Sequence, residues 1–162
     1  MPIEDQVAEK ARITRKTGKA QRFFTGINVF VYRISGGKIG GKFGKSPILL
    51  LTTTGRKTGL QRTIPLYYFR DGDNLILVAS NGGAPNHPTW WLNLQAKPEA
   101  VVELGKKKSS MQARQAYVGE RERLWPLPVA MYSGYAEYQK KTSREIRVVI
   151  LQPQNEVALT EK

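Results

Sequence analysis

The order of the β-type runs constrains this chain most. PILLLTTT (47–54), QRTIPLYYFR (61–70) and NLILVAS (74–80) follow one another, with DGDN at 71–74 as a hairpin turn. EAVVELG (99–105), MQARQAYV (111–118) and IRVVIL (146–151) complete about six strands, with KKKSS (106–110) read as a turn. Few turns of helix lie between them, and the order does not alternate βαβ. A small antiparallel barrel with attached helices follows, of class α+β and mainly β, rather than a doubly wound sheet. Pro65 points to an edge position or a bulge.

The expected helices are 20–34, TWWLNLQA opened by Pro88 and closed by Lys97–Pro98, 120–132, which begins as a helix and meets Pro126 and Pro128, and 133–140. Residues 4–16 read as a charged helix or frayed tail. Residues 34–46, with five Gly and three Lys, read as a loop. In the 20–34 helix, Phe23, Phe24, Ile27, Val31 and Tyr32 share a helical spacing and are expected to cover the core. The alternative is a helix lying on an anionic membrane surface, with Phe23, Phe24 and Phe30 beside Arg and Lys.

At 162 residues the chain fits one domain, 1–162, with 1–19 as its tail. It has no apolar run of 18 residues and no Cys, which excludes disulfides, thiolate metal sites and cysteine nucleophiles. Its start carries no signal-peptide pattern, and a cytoplasmic protein is expected. The single histidine, His87, excludes a three-His zinc centre, and no metal site is expected. His87 reads as a loop-anchoring or capping residue.

Charge is placed unevenly. Lys10 to Pro98 holds fifteen basic residues and two acids, Asp71 and Asp73, and so carries the whole net charge of +13. That field attracts anions.

Familiar motifs fail. TTTGRKTG has Arg56 where a phosphate loop needs Gly before Lys, no G-x-G-x-x-G occurs, and Ser80 lies in ASNG rather than a G-x-S-x-G elbow. Three clusters remain. Thr52–Gly59 ends a strand in hydroxyls and presents Arg56 and Lys57 with Thr58, as an anion nest of backbone N–H groups or a plain charged turn; Arg62 adds a fork. Ser80, Asn81, Gly82 and Gly83 precede His87 and the helix carrying Trp90, Trp91 and Asn93. One Trp is expected in the core and the other on a pocket wall, while Asn93 reaches a ligand or a loop carbonyl. Tyr132, Tyr135 and Tyr138 recur every three residues, as packing or as phenols lining a pocket for a flat ligand.

LLLTTTGRKTGLQRTIPLYY, LILVASNGGAPNHPTWWLNLQAKPEAVVEL and WPLPVAMYSGYAEYQ, in that order, resemble the deazaflavin-dependent nitroreductase family, across about residues 27–151. The resemblance implies a split β-barrel and hydride transfer from reduced coenzyme F420 to an electrophilic small molecule: an activated alkene, a quinone or a nitro compound. F420 carries a phosphodiester and an oligoglutamate tail, which gives the basic stretch an object. The resemblance implies Arg56, Lys57, Thr58 and Arg62 at the tail and phosphate, and Tyr67 near the deazaflavin ring. It places Val78, Ala79, Ser80 and Asn81 at the strand end touching the cofactor, with Trp90, Trp91 and Asn93 beside it. It places Tyr132, Tyr135 and Tyr138 around the substrate; Tyr135 is the favoured proton donor and Ser80 a further donor. Asn81 departs from the Lys of many members, a loss that Lys42 or Lys45 would have to offset. The rival readings are a non-catalytic binder of a polyanion or lipid, and an FMN or haem protein of the same fold. No nucleic-acid motif is present, and the oligomeric state is not legible.

Overall fold

A computed structural model of the chain describes residues 21–22 and 25–154; the 4–16 segment, Phe23 and Phe24 lie outside the described residues. Eight antiparallel strands form one curled sheet. They are β1 (Lys42–Phe43), β2 (Ser46–Thr54), β3 (Gln61–Tyr67), β4 (Phe69–Asp71), β5 (Asn74–Ala79), β6 (Glu99–Leu104), β7 (Lys107–Gln115) and β8 (Arg147–Pro153). Helix α1 runs over 25–34, with 21–22 also helical. It is followed by α2 (Thr89–Ala96), α3 (Val118–Leu124), α4 (Pro126–Met131) and α5 (Gly134–Lys141). The strand order is β1-β2-β6-β7-β8-β5-β4, with β3 on the other side of β2.

This is the expected split barrel with two further short strands, β1 and β4. The expected 61–70 strand divides at Tyr68: β3 pairs only with β2, and β4 only with β5. Pro65 therefore lies on an edge strand, where the missing N–H costs no ladder bond on the open side. Of the expected KKKSS turn only Lys106 lies in the turn; residues 107–110 are strand. Leu104 pairs with Lys107, so Gly105–Lys106 alone turns the hairpin, with Gly105 at φ 60°. The expected 120–132 helix breaks at Trp125, where Pro126 opens α4.

The strands read as continuous apolar runs because both faces are covered. Leu49, Leu51, Leu75, Leu77, Val149 and Leu151 pack inside the barrel with Trp90, Trp91 and Leu94 of α2. Ile76, Val78, Val148 and Ile150 point outward beneath Leu124 of α3 and Tyr135 of α5. Leu50 faces outward beneath Val29 and Tyr32 of α1.

Helix α1 docks by a face that matches the expected one in part. Tyr32 is buried and Val31 half-buried as expected, but Val29 is buried and Ile27, like Phe30 and Ile34, is exposed. The Tyr32 hydroxyl accepts from the Gly105 N–H at 2.9 Å, and its one proton is shared between the carbonyls of Glu103 at 3.2 Å and Ile48 at 3.3 Å. Beside it, Arg33 grips the buried Glu103 carboxylate at 3.0–3.2 Å. A hydroxyl in the middle of a helix face thus selects which apolar stripe goes inward.

Tyr32→Phe leaves the Gly105 N–H without its acceptor and removes the one O–H shared by the Glu103 and Ile48 carbonyls. Urea unfolding is expected to show a loss of about 1–3 kcal/mol. A midpoint and slope equal to the parent's would show that this hydroxyl does not hold α1.

Candidate active site

The divided strand makes the site. β4 pairs with β5 only through Asn74–Ile76, so the later residues of β5 have no partner on that side. β3 leaves in the other direction along β2. Between them lies a groove of about 470 Å³, lined by Pro65, Leu66 and Tyr67 of β3, Leu77 and Val78 of β5, Ser80–Gly82, Trp90 and Tyr135. A second cavity of about 530 Å³ adjoins it, lined by Arg22, Thr25, Thr53, Arg62, Asn93 and also Trp90. Trp90 is the wall common to both.

The groove gathers Tyr67, Val78, Ser80, Asn81, Trp90 and Tyr135 from the residues singled out in the sequence, and the second cavity gathers Arg62 and Asn93. The others stand elsewhere. The Ala79 side chain is buried in the barrel core, and Trp91 is buried beside it. Both tryptophans are therefore core residues, and Trp90 is additionally a wall. Arg56, Lys57 and Thr58 lie on an exposed loop and line neither cavity, and exposed Lys42 of β1 and Lys45 of the following turn line neither as well.

That loop is not an anion nest of free amides. The Gly55 N–H bonds the Leu60 carbonyl, and the Thr58 and Gly59 N–H groups bond the Gly55 carbonyl. The Leu60 N–H bonds the Thr58 hydroxyl at 3.3 Å, and the Arg56 N–H bonds Asn93 Oδ1 at 3.1 Å. Of the amides from Gly55 to Leu60, the Lys57 N–H is the one with no partner among the described residues. What the loop offers an anion is the side chains of Arg56 and Lys57. Asn93 sits beneath it, 2 % exposed, and its Nδ2 donates to Thr53 Oγ1 at 3.1 Å. Its oxygen meets a loop N–H where a loop carbonyl or a ligand was expected, and its side chain also lines the second cavity.

The three tyrosines form one cluster, but only two lie on a helix. Tyr132 ends α4 in an extended conformation and folds back, with its ring 5.4 Å from that of Tyr135. A Cβ on Gly134 would meet the end of the Tyr132 side chain, so any larger residue there would push that ring aside. The hydroxyls of Tyr132 and Tyr138 bond each other at 3.2 Å, outside the groove lining. Tyr135 alone enters the groove. Burial pushes its phenol well above the ordinary tyrosine value, and the neighbouring phenols of Tyr67, Tyr138 and Tyr132 add to this. Neither its hydroxyl nor that of Ser80 has a partner among the described residues.

One site residue left no mark in the sequence. Arg144, between α5 and β8, donates to the carbonyls of Ser80 at 2.8 Å, Ala84 at 3.0 Å and Ala79 at 3.3 Å. Its Nη1 also lies 3.4 Å from Nδ1 of His87. His87 therefore anchors its loop, as expected, through Arg144. Asn81, at φ 46°, donates from Nδ2 to the Asn86 carbonyl at 3.0 Å, which closes the loop on itself.

A family model described as F420H(2)-dependent quinone reductase matches residues 25–153. An F420H(2)-dependent quinone reductase of Mycobacterium tuberculosis is 42 % identical over 125 residues, covering 75 % of this chain and 84 % of that protein. A solved structure described as an F420-H2 dependent reductase is 44 % identical. It covers 65 % of this chain and 94 % of its own, with a TM-score of 0.61. The heme storage protein of Vibrio cholerae shares the fold alone, at 10 % identity and a TM-score of 0.51 over 80 % of this chain and 90 % of its own.

Burial, then the charges of Arg144 and Arg147, hold His87 below the ordinary imidazole value of 6.5. The unfolded chain therefore takes up this proton first. The stability linked to His87 is whole above 6.5 and is lost as the pH falls through 6.5 toward the folded value. Between about pH 7.5 and about 5.5 the urea midpoint of the parent is expected to fall more than that of His87→Gln, whose amide oxygen still accepts from Arg144. Equal falls in the two proteins would remove His87 from this role.

Proposed function

Because the chain belongs to the F420H(2)-dependent quinone reductase family, we propose that it passes a hydride from reduced F420 to a quinone-type acceptor in the groove between β3 and β5. The carrying observation is Tyr135, a buried phenol that opens on the groove without a partner among the described residues. With its pKa pushed up, it remains protonated at any working pH. It therefore offers its O–H as a hydrogen-bond donor to an acceptor oxygen, while the same burial makes it a weaker acid than a free phenol.

The residues fit such a cofactor. A flat ring finds apolar walls in Ile48, Pro65, Leu66, Val78 and Trp90. An anionic tail finds Arg22 and Arg62 in the adjoining cavity, with Arg56 and Lys57 on the neighbouring loop. Asn81 brings no charge, and its amide is held by the Asn86 carbonyl.

When bound, reduced F420 supplies the hydride. The chain supplies position and polarity. Tyr135 donates a proton to the acceptor oxygen on which negative charge builds, and the free Ser80 hydroxyl is a second donor at the same wall. Tyr132 and Tyr138 keep the Tyr135 ring in place, with centroids at 5.4 and 6.2 Å. Enones and nitro compounds meet the same groove and the same donors, and are tested beside quinones.

Tyr135→Phe is expected to lower kcat with a quinone by about 10²–10³-fold, with the affinity for reduced F420 almost unchanged. A variant that turns over like the parent would remove Tyr135 as donor. Arg62→Ala is expected to weaken binding of tailed F420 more than of a tailless deazaflavin, read from tryptophan fluorescence with FMN as control. Equal weakening would deny Arg62 the tail.

A second observation favours a membrane surface as the place of reaction. Ile27, Phe30 and Ile34 form an exposed stripe at i, i+3 and i+7 on α1. Ile39 and Phe43 are exposed after it, interspersed with exposed Lys38, Lys42 and Lys45. Apolar side chains among cations suit the headgroup region of an anionic bilayer, where lipophilic quinones dissolve. The doubly substituted Phe30→Ser, Ile34→Ser protein is expected to lose sedimentation with anionic vesicles while keeping turnover of a water-soluble quinone. Unchanged sedimentation would exclude this face.

A further inference from the structure

Resting on the reading just given, we propose that Arg144 is a positioning residue of the reaction. It holds the wall that carries Ser80 and Asn81 at a fixed place relative to the helix that carries Tyr135.

Its own backbone is tied to α5. The Gln139 side chain donates to the Arg144 carbonyl at 2.9 Å and accepts from the Ile146 N–H at 2.9 Å. From that fixed base the guanidinium reaches four acceptors spread over Ala79, Ser80, Ala84 and His87. These span the end of β5 and the loop that follows, up to the residue before Pro88. Helix α5 also lies on the Asn81–Gly83 turn: a Cβ on Gly83, at φ 78°, would stand 2.7 Å from the Tyr138 carbonyl. Two walls of the groove therefore touch, and one side chain bonds them together.

The chemistry of the group suits this task. A guanidinium is planar and carries five donors in a rigid fork, whereas an ammonium carries three on a single centre. Four acceptors in different directions are beyond a lysine. Among the described residues Arg144 has no acidic partner within ion-pair distance. The nearby Glu145 is engaged by Arg147 and Arg121. Arg144 is thus bound to carbonyl dipoles rather than to a counter-charge. A surface ion pair has one direction; three carbonyls and a ring nitrogen fix an orientation.

Displacement of a reacting group by about 1 Å can cost about 100-fold in rate without loss of binding. Arg144→Lys keeps the charge and loses the fork, and Arg144→Met keeps only the stem. Both are expected to lower kcat with a quinone at least about tenfold, with KM and the F420 dissociation constant changed less than about threefold. Arg114→Met breaks the ion pair to Glu120 away from the groove and controls for general loss of stability.

A second readout needs no cofactor. The Gly83 and Ala84 amides bond the Ser80 and Asn81 carbonyls. In the free Arg144 variants their hydrogen exchange is expected to quicken about tenfold or more, with β7 and β8 unchanged. Faster exchange there, together with the fall in kcat, supports the proposal. Faster exchange with parental kcat, or exchange quickened throughout the protein, overturns it. Full activity of Arg144→Lys beside an inactive Arg144→Met would mean that charge and not geometry matters, and would overturn it as well. A parent protein that does not oxidise reduced F420 would instead refute the functional reading, and the exchange result would then stand alone as a statement about the loop.

Discussion

β3 pairs with β2, β4 pairs with β5, and Tyr68 alone separates them, so the barrel's circuit of hydrogen bonds is interrupted in one place. Everything at the site depends on that interruption. An unpaired sheet edge ordinarily invites another strand. Here two edges face each other across a groove, and Pro65 withholds a donor on one of them. Closing the gap with ladder bonds would complete the barrel and abolish the groove. Holding it open requires that both rims be fastened from behind. β2 and β8 do this through their own pairings with β6, β7 and β5.

The loops at the rims are fastened by side chains that reach across the sequence. Asn93 on α2 receives the Arg56 N–H and donates to Thr53, fixing the start of the cationic loop. Arg144 does the same for the loop after β5. In both cases a buried or half-buried polar group meets backbone rather than a ligand, which is how loops of this polarity avoid unsatisfied amides and carbonyls. Among the described residues the groups left without a protein partner include the phenol of Tyr135, the hydroxyl of Ser80, and the cations of Arg62, Arg56 and Lys57. Trp91 Nε1 is the buried side-chain polar atom without a partner among the described residues, and nothing in its surroundings explains it.

The strands were legible because burial on both faces writes itself as unbroken apolar sequence, as in LLL at 49–51 and LILV at 75–78. What escaped reading was each choice made by tertiary contact. Nothing in YYFR marks a change of partner at Tyr68, since the residue is as good in a strand as its neighbours. Lys106–Ser110 read as a turn because charge and small polar residues crowd there, yet Gly105 with one further residue turns the chain and Lys107 already pairs with Leu104. Helix α1 is apolar on more than one stripe, so hydropathy cannot choose its buried face, whereas a hydroxyl bonded to Gly105 can. At the site, the phenols, Ser80 and Asn93 were visible as unusual clusters. Arg144 was not, because its partners lie 57–65 residues away and its local sequence looks like any helix end.

The placement of charge closes the argument. Among the described residues of the basic stretch, Arg33 is held by Glu103, and Asp71 is taken by Arg123 from α3. Arg56, Lys57 and Arg62 have no acid within ion-pair distance among the described residues. Exposed cations cost little in water singly, but crowded within a Debye length of about 8 Å they repel one another. A sheet that needed only solubility would intersperse acids among them. Under the proposed function, a bound polyanion would meet these cations, and salt would weaken that attraction. The apolar groove alone would accept many flat molecules. Under that same function, the uncompensated cations of Arg62 in the adjoining cavity and of Arg56 and Lys57 on the exposed loop favour a ring joined to an anionic tail.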